Sequence, residues 1–127
     1  LSWMGGLGAG ALVTAILVVN NVRDIESDRL SGRKNIPVVW GRRAGELEYL
    51  FMFLLAYIVP AITLAAGWAN GWIMLPYISS LMAVKLYREM RSLPSGPGFN
   101  KLLAKTAQLV LVYCVCFSVG IILSGNI

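Results

Sequence analysis

The sequence predicts an all-α fold, a polytopic membrane helix bundle of about four transmembrane helices. Three observations predict it. Apolar residues make up 57% of the chain and charged residues 13%, whereas a soluble domain carries roughly a quarter charged. The apolar residues gather into stretches near the length that crosses a bilayer, roughly 20 residues. Lysine and arginine are confined to residues 23–43 and 85–105, as expected of cytoplasmic loops. The net charge of +5 is therefore a topology signal, and no nucleic-acid partner is expected. With no histidine in the chain, histidine metal sites and histidine general bases are excluded. Cys114 and Cys116 stand two apart on an expected helix and do not face each other. They read as buried, inert thiols.

The first helix is expected over residues 2–22. It is apolar and rich in small residues, and Gly6 and Gly10 form a pair that lets a neighbouring helix approach closely in lipid. The chain begins at Leu1 inside apolar sequence without a signal-peptide n-region. The start reads as a truncation and the first stretch as a mature membrane helix. Asn20 and Asn21 end it. Amides at a membrane edge are costly and often functional, so they either line a site or cap the helix.

Residues 23–45 form the longest polar stretch. Within it, 36–40 is apolar again, either lying in the membrane interface with Trp40 at headgroup depth or folding back as a cover. A second helix is expected over 46–69, with Glu46 and Glu48 in its first turn, where the helix dipole favours negative charge. Pro60 lies mid-span, where a kink is tolerable in a bundle. Trp68 and Trp72 bracket a short turn and mark an aromatic belt at the opposite membrane face. The third helix, 72–91, has Pro76 in its first turn, where proline does least harm. Its strictly apolar part ends at Val84, and Lys85 and Arg88 extend its reach by snorkelling. Residues 93–100 are a loop, and the fourth helix is expected over 101–123. Both basic stretches then share the cytoplasmic side, and both ends of the chain point outward.

The chemistry lies in residues 20–34. Asp24 and Asp28 are the only aspartates, four apart at the end of an apolar run. On a helix that spacing puts both on one face. Mg²⁺ takes one or two protein carboxylates and fills its shell with water and phosphate oxygens. Arg23, Arg29, Arg33 and Lys34 crowd the same loop. Acid for a metal, base for an anion and apolar chain on both sides suggest a diphosphate site at a membrane surface. The plainer reading is a charged topological loop whose acids and bases neutralise one another. Two soluble motifs fail. An EF-hand starting at Asp24 needs Gly at its sixth position and Glu at its twelfth, where Arg29 and Asn35 stand, and no Walker A loop is present.

The run Asn20-Asn21-Val22-Arg23-Asp24-Ile25-Glu26-Ser27-Asp28-Arg29, then Gly32 and Arg33-Lys34, resembles the second aspartate motif of the UbiA superfamily of intramembrane prenyltransferases. The double asparagine resembles the menaquinone branch, the 1,4-dihydroxy-2-naphthoate polyprenyltransferases. Residues 10–17 and 100–109 resemble that branch too. The family has nine membrane helices, and this chain is similar to the last four, a C-terminal part of the domain over residues 1–127. The resemblance implies an integral protein of a bacterial inner membrane. It implies transfer of a polyprenyl group from a polyprenyl diphosphate to an aromatic acceptor, with Mg²⁺ as cofactor. Asp24 and Asp28 would be the catalytic, metal-binding carboxylates. Arg33, Lys34, Arg23, Arg29, Asn20 and Asn21 would bind the diphosphate. Asn35 stands where the branch commonly has Thr or Ser. The family's first aspartate motif is not in these residues, so the isolated chain is expected to be inactive. Three other readings remain: a different aromatic acceptor such as 4-hydroxybenzoate or a chlorophyll-type ring, a CDP-alcohol phosphotransferase, and a transporter or scaffold segment. The phosphotransferase needs more aspartates than the two here.

Overall fold

A computed structural model describes residues 1–94 and 96–125. Every regular element among them is helical: α1 Ser2–Arg23, α2 Ile25–Leu30, α3 Ile36–Trp40, α4 Arg42–Ala65, a 3-10 segment Gly71–Ser79, α5 Ser80–Ser92 and α6 Gly98–Leu123. Helices α1, α4 and α6 are long and apolar enough to cross a membrane. Large apolar side chains on their outer faces, among them Leu17, Phe51, Ile58, Leu111 and Ile122, are exposed. Lipid is the solvent that tolerates such faces. The membrane helix bundle read from the sequence is borne out.

The expected third span is helical but is not one α-helix. Nine residues of 3-10 helix precede thirteen of α5. Pro76 has no N–H to donate, which interrupts a regular α ladder. The 3-10 geometry rises about 2.0 Å per residue, so the composite reaches roughly 37 Å and compensates for a short apolar stretch. α4 begins four residues before its expected start because Gly41, at φ 92°, turns the chain there. Glu46 and Glu48 therefore lie beyond the first turn. Glu46 is buried, with Arg42 at 3.4 Å and Arg43 at 3.1 Å. α6 starts at Gly98, so the expected 93–100 loop is shorter; Ser95 within it lies outside the described residues.

The core follows helical periodicity. α6 buries Phe99, Leu102, Thr106, Leu109, Tyr113, Phe117 and Gly120, in steps of three and four. That repeat places one seam against α1, the 3-10 segment and α5. α1 buries Met4, Gly8, Ala11, Leu12, Ala15, Val18, Val19 and Val22 against α4 and α6. Gly6 and Gly10, expected at a helix contact, face open space. The close approach is at Gly8, where the Tyr113 hydroxyl occupies the room a Cβ would need. α1 is rotated relative to the small-residue pattern because its larger residues, Leu12, Val18 and Val19, decide which face is buried.

Proline inside α4 is accommodated by tyrosines from elsewhere. Pro60 cannot donate to the carbonyl of Ala56, and the Tyr113 hydroxyl donates to it instead at 2.7 Å. Tyr77 donates to the next carbonyl, that of Tyr57, at 2.6 Å. An orphaned carbonyl in hydrocarbon is costly, so Tyr113→Phe is expected to cost about 1 kcal/mol. A denaturation titration of the purified protein checks this, with Cys114→Ala, on the same helix, as control.

The aromatic belt is observed. Trp68 and Trp72 are half exposed, and the Trp3 ring lies 6.3 Å from that of Trp68. The Asn70 side chain accepts from the Trp72 N–H at 3.1 Å and from the Ser124 hydroxyl at 2.9 Å. Trp3, Trp68 and Trp72 thus gather at one end of the bundle. Asp24 and the basic residues lie at the other.

Candidate functional site

The 23–45 stretch is not a plain loop. α1 stops at Asp24, whose φ of −100° and ψ of 17° interrupt the helix, and α2 starts at once. The backbone N–H of Asp28 donates to the Asp24 carbonyl at 2.8 Å, so the two aspartates still stand one turn apart. α3 folds back against α4 and α1. Pro37 and the Val22 side chain both press on Gly45, where a Cβ would meet them at 2.9 and 2.5 Å. Residues 36–40 thus pack back on the bundle, as a cover would, while Val39 and Trp40 stay exposed on the outer face, as an interfacial segment would hold them.

Each aspartate has its own setting. Asp24 takes two bonds from the Arg23 guanidinium, Nε to Oδ1 at 2.8 Å and Nη2 to Oδ2 at 3.0 Å. Arg23 also donates to the Asn100 side chain at 2.9 Å, fastening the motif to the start of α6. The Arg23 hydrogen bonds hold the Asp24 carboxyl below its ordinary range, against the opposing effect of partial burial. Asp28 is buried. Its Oδ2 accepts from the Asn35 amide at 3.2 Å, and Arg33 stands 3.9 Å from Oδ1. The Asn35 Oδ1 accepts from the Val38 N–H at 3.1 Å and so caps α3.

The structure therefore brings Arg23, Asp24, Asp28 and Arg33 together, with Asn20 one turn before Asp24, whose N–H donates to the Asn20 carbonyl at 3.0 Å. The side chains of the remaining expected residues make no hydrogen bond or ion pair to these four among the described residues. Arg29 turns to Glu26 at 3.2 Å, both exposed. Lys34 is exposed and has no partner among the described residues. Asn20 and Asn21 lie half-buried in the last turn of α1, with neither side-chain amide bonded among the described residues. Arg23 and Arg29 do line a cleft of about 380 Å³ with Val22, Ile25 and Arg42, within the range of ordinary ligand pockets, roughly 300–1,000 Å³. Arg42 is not free to serve there. It donates to the carbonyls of Met90, at 2.7 Å, and Leu93, and lies over the Phe99 ring. Asn35 is the contact that the sequence reading missed, although an asparagine two residues before a proline is a helix-start signal.

A family model, the UbiA prenyltransferase family, matches residues 1–96. The chain belongs to the UbiA prenyltransferase family. The resemblance read in residues 20–34 is thereby borne out. Among curated UbiA relatives, UbiA prenyltransferase domain-containing protein 1 of Rattus norvegicus is 36% identical over 110 residues, covering 87% of this chain and 31% of that protein. The 1,4-dihydroxy-2-naphthoate octaprenyltransferase of Mycobacterium leprae is 23% identical over 130 residues, covering 100% of this chain and 43% of its own length. Its Haemophilus influenzae counterpart is 26% identical over 121 residues, covering 92% and 38%. The chain thus spans less than half the length of these relatives. No solved structure matches it.

UbiA members imply a divalent metal, and the donor set here admits one. Among the described residues no cluster of three or more His, Cys, Asp or Glu is present. The protein carboxylates that this chain offers such a metal are Asp24 and Asp28, one turn apart. The rest of the shell of a hard divalent cation is ordinarily water and phosphate oxygen.

Proposed function

We propose that the whole protein is an intramembrane enzyme that transfers a polyprenyl group from a polyprenyl diphosphate to an aromatic acceptor, 1,4-dihydroxy-2-naphthoate. The observation that carries this is the pair Asp24 and Asp28, one turn apart at the end of a membrane-length helix, each beside an arginine. Family membership and relatives named as 1,4-dihydroxy-2-naphthoate octaprenyltransferases support the reaction class and the acceptor. The motif loop faces the cytoplasm on this reading, since the basic residues lie at its end of the bundle.

Asp24 and Asp28 would hold Mg²⁺, which when bound stabilises the charge of the departing diphosphate. Arg23 keeps Asp24 ionised and anchors it through Asn100. Asn35 orients Asp28 and ties it to α3. Arg33 is largely exposed, and Lys34 is exposed without a partner among the described residues. Both can therefore turn to a phosphate, the guanidinium bidentately and the ammonium as a point charge. The allylic C–O bond breaks with its electrons going to diphosphate. The ring carbon bonds to the prenyl carbon, and the ring carboxylate leaves as CO₂.

Membranes containing the full-length protein, supplied with Mg²⁺, a polyprenyl diphosphate and 1,4-dihydroxy-2-naphthoate, are expected to release CO₂ and form a prenylated lipid. Turnover with 4-hydroxybenzoate alone would move the acceptor. No turnover with any aromatic acceptor would overturn the proposal.

A further inference from the structure

A groove of about 340 Å³ lies between α4 on one side and the 3-10 segment with α5 on the other. Leu54, Val84 and the rings of Tyr57 and Tyr77 wall it. The tyrosine hydroxyls are engaged within the protein, Tyr57 with the Ser79 hydroxyl at 2.6 Å and Tyr77 with the Tyr57 carbonyl. Apart from the Ser80 hydroxyl, little in these walls is left to hydrogen-bond a ligand, so a mostly apolar body fits the slot. One end differs. Arg88 and Arg91 close it, three apart on one face of α5. Neither makes an ion pair or hydrogen bond among the described residues, although Arg91 lies over the Tyr87 ring. The nearby acid, Glu89, is taken by Lys105 at 2.9 Å. Two uncompensated guanidinium groups therefore stand at the end of an apolar slot.

That slot is complementary to an anionic amphiphile. Leu50 to Tyr57 gives it a length of about 10 Å along α4, room for part of one hydrocarbon chain. Its cationic end lies on the basic side of the bundle, where side chains meet lipid headgroups. We propose that this groove holds an acyl chain of an anionic phospholipid whose phosphate sits on Arg88 and Arg91. Guanidinium groups suit phosphate oxygens through paired hydrogen bonds. The site shares no residue with the aspartate motif and stands independently of the prenyl-transfer reading.

Native mass spectrometry of the full-length protein, offered phosphatidylglycerol and phosphatidylcholine of matched chains, tests it. Wild type is expected to retain one phosphatidylglycerol in preference. The double variant R88Q/R91Q should lose that preference by about tenfold. Both arginines are exposed, so folding should survive. Val84→Trp fills the slot without changing charge and should lower retention of both lipids. A preference unchanged in R88Q/R91Q, or retention undiminished in Val84→Trp, would overturn the proposal. So would stoichiometric displacement of the lipid by a polyprenyl diphosphate, which would make the groove a substrate channel.

Discussion

Asp24→Asn and Asp28→Asn, each in the full-length protein, are expected to lower the proposed prenyl transfer by at least about a hundredfold, the effect of removing one preorganised electrostatic partner. The amount of folded protein in the membrane should barely change. Asp24 pairs with Arg23 at a site about a third exposed on both sides, and such pairs contribute roughly 0–1 kcal/mol. The amide introduced by Asp28→Asn would keep an oxygen to accept from Asn35, so the fastening of α3 survives the change. The contrast decides between the two readings of the loop. If these acids serve only topology and neutralisation, activity would follow abundance and fall little. Activity and immunodetected protein, measured on the same membranes, separate the outcomes. Asn35→Ala is the instructive companion. It removes both a helix cap, worth about 1 kcal/mol, and the partner of Asp28, so activity and abundance should decline together.

Gly120→Ala is expected to destabilise the bundle by about 1–3 kcal/mol, the usual range for overpacking. A Cβ at this position would lie 2.6 Å from the Trp72 carbonyl oxygen and 3.1 Å from the Ile73 Cα. These are backbone atoms of the 3-10 segment and cannot rotate away. Alanine gains about 1 kcal/mol over glycine from helix propensity, which reduces the loss without reversing it. Gly10→Ala is the matched control. It lies in α1, is exposed and meets nothing within 4 Å, so the propensity gain should appear undiminished. Denaturation of the two purified variants beside wild type reads both signs. Equal stability of Gly120→Ala and wild type would mean that α6 and the 3-10 segment sit farther apart than described.

Composition and spacing carried much of the outcome. Three apolar stretches became α1, α4 and α6, because a run long enough to cross a bilayer satisfies its backbone by itself as a helix. The run from Asn20 to Arg29 carried the family, since its spacing survives any rotation of the helix around it. Asp24 and Asp28 stayed one turn apart even though the helix is interrupted at Asp24, because a four-residue step is a local quantity. Tertiary structure decided which neighbours each residue meets. Arg23 reaches Asn100 across 77 positions, and Tyr113 reaches the Ala56 carbonyl across 57. Neither pair has a periodic signature, for each depends on how two helices turn about their axes. The same rotation chose Gly8 over Gly6 and Gly10 for close contact. It also brought α3 back over the motif, where Asn35 meets Asp28. Residue types and local steps determine which elements form and what chemistry they carry, whereas packing of the large side chains determines how those elements face one another.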